Sequence, residues 1–481
     1  LYSCCRELIE NSLDACELHD ILPDIYMSLL LEEKRSLTTG IYRLRVQDNG
    51  SGVPEKEILK AFGRVFYSSK YVLRQARGTF GLGGTLALLY GQITTHKPIR
   101  VISSDGGSKI VSISFLIDIE KNIPQVLEKK RIENKEGWRG TIVEFSLLGD
   151  YNRVSSRVIS YLKQTAVVAP YAELKFVDPR GRLYFFRRTT TEMPKKPQVV
   201  KPHPHGIDVE MLKKLINQSD PDMTLLDFMK ENFHRVGDKI ARRFLRYAGF
   251  PWDTRLADLS MEDIIQLSKN MQGFDGFLPP SKEFLSPIGE RLFLEGIKKE
   301  YNPAFAAVIT RPSSSYSGHS FIVEAGIAYG GEIPGEKGEI RLFRYANKIP
   351  LLFDEGSDVS QKIINDINWS YYKRPTDGPI SFFIHICSTK VPFRSLGKEF
   401  IADVPEVERE IRISIRTLLR NLTSYTKRIE RRKGLEKRLS LYKKYLPKIA
   451  EFSARLSGRD KLPNIDGLID RVKKRYEGKE I

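Results

Sequence analysis

The sequence predicts an α+β chain in three successive parts: a mixed α/β sandwich, a small helical domain, and a second α/β unit that ends in a long helix. Three observations carry this. At roughly 150 residues per domain, 481 residues suggest about three domains. A Pro- and Lys-rich stretch at 190–207 separates a mixed strand-and-helix region from a helical one. From Pro405 onward, Val407, Ile411, Ile415, Leu418, Leu422 and Tyr425 form one helical seam.

The elements follow in order. Residues 1–20 read as an amphipathic helix, with Leu8, Ile9, Leu13 and Cys16 on one face and Glu7, Asn11 and Asp14 on a neighbouring one. Ile41–Gln47 alternates like a strand and runs into the turn cluster Asp48-Asn49-Gly50-Ser51-Gly52. Residues 53–77 read as a helix followed by a polar, basic stretch. Gly78–Gly84 is glycine-rich and leads into a helix at Thr85–Tyr90. Strands are expected at 99–104, 110–118 and 141–147, a helix at 154–168, and a hairpin at 172–177 and 182–187. Residues 208–278 read as helices with short loops. In the last part FIVEAGIAYGG, EIRLFRYANKIPLLF and PISFFIHICS read as strands, the last leading to the polar loop STKVPFRSLGKE.

The expected domain limits are 1–190, a linker at 191–207, a helical domain at 208–280, a unit at 281–440 with the long helix, and a basic tail at 441–481. The chain begins at Leu1, inside a helical pattern and without Met, so its native start is expected upstream.

Lys and Arg number 78 against 60 Asp and Glu, a formal net charge of +18. That balance points to a polyanionic partner, nucleic acid first, although solubility alone also accounts for a basic surface. Ten Lys/Arg against two Glu fall within 425–448. The 41% hydrophobic content excludes wholesale disorder. No apolar run approaches the roughly 18 residues of a membrane span. Four cysteines without zinc-like CxxC spacing exclude a disulfide scaffold and fit a reducing compartment.

Four constellations carry chemistry. Glu7 and Asn11 are i and i+4, so they share a helix face. The carboxylate can orient or deprotonate a water, and the amide oxygen can take one position on a phosphate-bound Mg²⁺. By themselves such residues are more often a solvated face. Asp48-x-Gly50-x-Gly52 ends a strand; its glycines allow close approach of a planar ligand and its carboxylate can accept from an exocyclic amine, or the motif is a plain turn. Gly78-Thr79-Phe80-Gly81-Leu82-Gly83-Gly84-Thr85 opens a helix and suits an anion cradle or a lid. It lacks the GK[ST] of a Walker A loop. Gly140-Thr141 precedes a strand, where a threonine is often there for β-propensity alone.

The order of these motifs resembles the GHKL ATPases, the class of gyrase B, MutL, the large heat-shock chaperones and histidine kinases. RELIENSLDA, AFGRVFYSSKYVLRQARGTFGLG, KPHPHGID, RYANKIPLLFDE and CSTKVPFRSLGKE resemble, more specifically, the B subunit of topoisomerase VI, a type IIB DNA topoisomerase. The resemblance implies a Bergerat ATP-binding sandwich, a helix-two-turns-helix domain and a transducer. It implies ATP and Mg²⁺ as ligands, with Glu7 as general base and Asn11 on Mg²⁺. Asp48 would read adenine, with Thr141 supporting that contact through water. Ser69, Lys70 and Gly78–Thr85 would form the nucleotide lid, and Lys398 would be a switch lysine on the γ-phosphate. Lys390 is its nearby rival. Two departures stand out: Thr85 occupies the place of a usual lysine, and the strap segment ahead of the first motif is missing.

The partners the resemblance implies are a separate DNA-cleaving A-type subunit with a catalytic Tyr, docked on the long helix, and double-stranded DNA. ATP would bring two B protomers together, within a heterotetramer of two A-type and two B-type chains. The expected location is cytoplasmic or nucleoid-associated, or nuclear in a eukaryote, with no membrane. The basic helices at 228–250 suit phosphate contacts, or form a merely solvated bundle; their aromatics, Phe228, Phe233, Phe244 and Tyr247, are expected in the core. The competing readings are another GHKL clamp, as in mismatch repair, and a degenerate scaffold that does not hydrolyse ATP.

Overall fold

The protein is described by a computed structural model that covers residues 1–64, 73–77, 83–372, 375, 377–394, 400–458 and 465–477. The chain divides into two compact units. The larger comprises residues 1–367 and 377–418, and the smaller 368–376 and 419–481.

The larger unit opens with α1 (Tyr2–Glu17), β1 (Asp24–Lys34), β2 (Gly40–Asp48), α2 (Glu55–Gly63) and α3 (Gly83–Thr95). There follow β3 (Ile99–Asp105), β4 (Lys109–Asp118), β5 (Ile123–Glu133), β6 (Arg139–Gly149), α4 (Tyr151–Val168), β7 (Glu173–Val177) and β8 (Leu183–Phe186). Among the described residues these strands form one eight-stranded sheet, ordered β5-β4-β3-β6-β2-β1-β7-β8. Every pair in it is antiparallel except β1–β7. The helices lie on the sheet through one core, in which Leu8, Ile9 and Leu13 of α1 meet Leu44 and Val46 of β2 and Leu88 of α3. Each of these is at most 3% exposed, so α1 is fixed along its whole apolar face. The functional face of α1 is thereby set toward the end of β2, the start of β6 and the start of α3.

Two strands of this sheet escape the periodic reading. β1 carries the unbroken run Leu29-Leu30-Leu31, which gives no alternation. β5 is an edge strand with almost no buried residue and is held by its ladder to β4. The helix expected at Thr85–Tyr90 is longer at both ends.

The helical segment holds α5 (Val209–Gln218), α6 (Leu225–Asn232), α7 (Asp238–Ala248) and α8 (Met261–Gly273). Asp208, Thr224 and Ser260 cap three of these helices, the last in a capping box with Asp263. Phe228, Phe233 and Phe244 are buried in the segment's core, as expected. Tyr247 is a correction: it is 57% exposed, because it falls on the polar face of α7 with Arg243 and Arg246.

Then come α9 (Glu290–Tyr301), β9 (Phe305–Thr310), β10 (Ser314–Tyr316), β11 (His319–Tyr329), β12 (Ile340–Ala346), β13 (Ile349–Leu351), α10 (Val359–Asn365), α11 (Trp369–Tyr372) and β14 (Ile380–Ser388). The second sheet runs β10-β11-β14-β12-β13, with β9 also on β11. The stretch EIRLFRYANKIPLLF, expected as one strand, is a hairpin turning at Asn347-Lys348. Tyr345 of this hairpin and Phe383 of β14 share a core with Phe293 and Ile297 of α9 and Val167 and Val168 of α4.

The last helices are α12 (Pro405–Ser457) and α13 (Ile465–Glu477). Val407, Ile411, Ile415, Leu418 and Leu422 of the expected seam are at most 2% exposed, whereas Tyr425 is only half-buried. The helix continues through residue 440, where a boundary with a tail was expected, and contains Pro447.

Candidate active site

The site is built on α1. Four residues separate Glu7 from Asn11, one turn of helix, and both look onto the N-terminus of α3. The approach is close. A methyl group on Gly83 would fall 1.7 Å from Glu7 Oε2, and one on Gly84 2.6 Å from Asn11 Nδ2. A side chain at either position would push the end of Glu7 or Asn11 aside. A helix N-terminus carries partial positive charge, so this arrangement favours an anion beside the carboxylate and carboxamide.

Glu7 is about one-fifth exposed, and its Oε1 accepts from Arg6 Nη2 at 2.7 Å. Glu10, the neighbouring carboxylate, is 4% exposed and faces inward, where Tyr161 Oη donates to it at 3.4 Å. Glu7 is therefore the carboxylate of this turn that water reaches. Asn11 is exposed.

The end of β2 places the second acid. Asp48 is 6% exposed and paired across the ladder with Thr141 of β6. Its Oδ1 accepts from the Gly50 N–H at 2.9 Å and the Thr141 N–H at 3.2 Å, and its Oδ2 accepts from Ser12 Oγ at 3.1 Å. Burial pushes its carboxyl up to about 6 against the pull of these hydrogen bonds. A carboxylate held this way gains from one further donor, such as an exocyclic amine.

The glycines around it have structural causes. Gly52 has φ +73 and a methyl there would fall 2.0 Å from Ser104 O; at Gly140, with φ +139, it would fall 2.0 Å from Asp48 O. Thr141 is 6% exposed, and its Oγ1 lies 3.2 Å from Ser103 Oγ. Ser103 Oγ also accepts from the Val53 N–H at 2.8 Å, tying the turn after Asp48 to β3.

The structure thus brings together Glu7, Asn11, Gly83 and Gly84, and joins Asp48 and Thr141 to them through Ser12, the residue after Asn11. Thr85 is 3% exposed inside the first turn of α3. Ser69, Lys70, Gly78, Thr79, Phe80, Gly81, Leu82 and Lys398 lie outside the described residues. Lys390 is described and exposed, in a turn where its N–H donates to Ser388 Oγ at 3.2 Å.

Sequence reasoning missed Ser12, Ser103 and a buried charge cluster at the far end of α1. There Arg77, next to the glycine-rich stretch, donates to Asp14 at 3.0 Å and to Glu17 at 2.6 Å. Burial opposes ionisation of Glu17, yet Arg77 and Lys348 hold its carboxyl below the usual carboxylate value. An open cavity of about 740 Å³, lined by His234, Arg235, Ser281, Lys282 and Ser314, shares no residue with this site.

Residues 1–119 match a family model described as histidine kinase-, DNA gyrase B-, and HSP90-like ATPase. Residues 280–438 match one described as the topoisomerase VI B subunit, transducer. The chain is 44% identical over 94% of its length to the B subunit of type 2 DNA topoisomerase 6 from Metallosphaera sedula, covering 84% of that protein. It is 43% identical to the corresponding protein of Saccharolobus shibatae, with the same shares of each chain covered. Among solved structures, a B-subunit of the DNA gyrase from Myxococcus xanthus is similar at 10% identity and a TM-score of 0.43, covering 87% of this chain and 90% of that one.

Proposed function

As a member of the family formed by the B subunits of type 2 DNA topoisomerase 6, the chain is the ATPase subunit of an ATP-dependent type II DNA topoisomerase, and we propose that it takes Mg·ATP at the α1–α3 site and uses hydrolysis to gate DNA strand passage. The observation that supports this most is the contact of Glu7 and Asn11 with the glycine head of α3, one residue from the Ser12–Asp48 hydrogen bond.

The roles divide by chemistry. Asp48 accepts from the adenine amine, and Thr141 and Gly50 hold its other oxygen in place. The N-terminus of α3, with Gly83, Gly84 and Thr85, faces the phosphates, and the lid at Ser69, Lys70 and Gly78–Leu82 completes their enclosure. Asn11 offers its amide oxygen to Mg²⁺, which supplies charge neutralisation at the phosphates when bound. Glu7 accepts the proton of the attacking water as its oxygen bonds to the γ-phosphorus and the bond from that phosphorus to the β–γ bridging oxygen breaks, so that ADP and phosphate leave. Lys398 offsets charge on the γ-phosphate, with Lys390 as the rival for that position.

Nucleotide joins two copies of the chain at their N-terminal domains around a DNA segment, and hydrolysis releases it. DNA cleavage belongs to an A-type partner carrying the catalytic Tyr, in a heterotetramer of two of each subunit. No described helix is long and apolar enough to cross a membrane. The place of action we propose is with DNA, in the cytoplasm at the nucleoid or in a eukaryotic nucleus. The transducer match across 280–438 speaks for strand passage over a repair-type clamp.

The test has two parts. The chain alone should hydrolyse ATP without cutting DNA. With a co-purified Tyr-bearing partner it should relax supercoiled plasmid in an ATP-dependent way. ATP-independent relaxation, or no turnover with intact folding, would overturn the reading.

A further inference from the structure

Arg6 and Glu7 are successive residues of α1, and successive residues on a helix point about 100° apart. The contact of Arg6 Nη2 with Glu7 Oε1 at 2.7 Å is therefore no by-product of the helix. Arg6 has to reach for it.

What Arg6 reaches from is a buried polar cluster. Glu10 lies one turn further along α1, and Arg6 Nε stands 3.5 Å from its Oε1. Tyr161 Oη donates to that same oxygen at 3.4 Å. Glu10 is 4% exposed and Tyr161 2%. The Tyr161 ring meets the Tyr2 ring edge-on with centroids 6.0 Å apart, and Tyr2 meets Phe353 at 5.5 Å. One-fifth of the Arg6 side chain is exposed. Burial opposes its charge, but Glu10 and Glu7 together more than offset that.

Two details define what this reach does. The first is how Glu7 divides its oxygens. Oε1 goes to Arg6, whereas Oε2 is the atom that a methyl on Gly83 would meet at 1.7 Å, at the head of α3. With one oxygen held, the carboxylate no longer turns freely about its last bond. The other oxygen stays on the side where an anion and its water would lie. The second is that the buried Nε of Arg6 has no hydrogen-bond partner among the described residues. A buried donor left so costs free energy. The guanidinium is thus aimed at Glu7 at the expense of a better fit to Glu10.

We propose that Arg6 is a positioning residue for the general base: it holds Glu7 Oε1 so that Oε2 is presented to the attacking water, while Glu10 and Tyr161 hold Arg6. This rests on the nucleotide site proposed above and adds a residue to it. A planar fork suits the task, because one edge serves Glu10 and the other Glu7. A general base works only within hydrogen-bond reach of its proton, and a misplacement near 1 Å costs about 10²-fold.

The test measures hydrolysis of labelled ATP by the full chain, at saturation and under single turnover. Five forms are compared: the parent, Glu7→Gln, Arg6→Met/Glu10→Gln, that pair combined with Glu7→Gln, and Arg6→Lys. The pair keeps the apolar stem and removes the buried carboxylate's charge together with the guanidinium's, so net charge is kept. Its turnover should be about 10- to 100-fold lower, with KM within about threefold of the parent and the melting temperature unchanged. Arg6→Lys keeps the charge but loses the fork, so its turnover should fall between the two. In the Glu7→Gln background the pair should cost nothing further, because the carboxylate it positions is gone. A parent-like rate in the folded pair would overturn the proposal. So would an equal loss in the Glu7→Gln background, which puts Arg6 on the substrate itself. A parallel fall of affinity, turnover and melting temperature would mark a structural role and overturn it too. Parent-like turnover in Glu7→Gln, or a parent that does not hydrolyse ATP, defeats the base assignment and this proposal with it. That comparison is read first and involves no change at Arg6.

Discussion

Glu7 and Gly83 constrain each other, and the constraint is unequal. The atom that a methyl on Gly83 would meet is the carboxylate end of Glu7, 1.7 Å away. That end is the tip of a partly exposed side chain, paired with Arg6 yet able to turn aside, so Gly83→Ala should cost little stability while pushing the base off its water. The expected result is an unchanged melting temperature with hydrolysis lost. Glu7→Gln removes the proton acceptor without moving it, so nucleotide should still bind while turnover falls by about 10²–10⁴. Equal losses of binding and turnover in Glu7→Gln would move the base elsewhere. Asp48 makes a pH argument. Its carboxyl, raised to about 6, keeps a proton in the folded chain that the unfolded chain has lost. Stability of the nucleotide-free chain therefore falls as pH rises from about 4 to about 6, and is level above that window. An amine donor needs the ionised form, so adenine nucleotides should bind about tenfold more weakly near pH 5 than above pH 7. Asp48→Asn should weaken binding by about 1.5–3 kcal/mol, and titration calorimetry should find the Asp48 part of the pH dependence gone. The phosphate's own titration remains in that variant and serves as the control.

Elements differ in how they announce themselves. α1, β2 and the α12 seam were legible because one face of each is buried, and burial imposes the period. β5 was not, because an exposed edge strand is held by main-chain hydrogen bonds that leave no side-chain pattern. The turn after β2 was legible as a glycine cluster, but its cause is tertiary: Gly52 has φ +73 and abuts the Ser104 carbonyl. Gly52→Ala meets backbone that cannot swing aside, so it should destabilise by about 3 kcal/mol in denaturant melts, at the upper end of ordinary substitutions. The contrast with Gly83→Ala separates folding from chemistry. α7 presents Lys239, Arg243 and Arg246 on its exposed face, while Arg242 is engaged by Asp238 at 3.0 Å. DNA affinity should fall steeply with salt, and replacing those three by Ala should reduce the slope of log affinity against log salt by about three if each meets a phosphate. An unchanged slope would make that face a solvated surface.

Across the molecule, the motifs of the first sandwich were readable from spacing, whereas the junction to the second sheet was not. Lys348 and Glu17 lie 331 positions apart, and no local pattern joins them. Family resemblance ordered the parts without revealing that contact. The two candidate switch lysines are separated by substitution: Lys398→Ala should bind nucleotide and hydrolyse it slowly, with Lys390→Ala near the parent, and the reverse result would move the switch eight residues earlier. The four cysteines bear on all of this in another way. Cys4, Cys5 and Cys16 are buried in α1, and Cys387 is buried in β14, where its thiol meets Gln75 Oε1 at 2.8 Å. Burial also raises each thiol, so none reacts readily from the closed fold. Alkylation of the native chain thus becomes a clock for local opening. Three of the thiols time the helix that carries Glu7 and Asn11, and the fourth times β14 of the second sheet, with no label added.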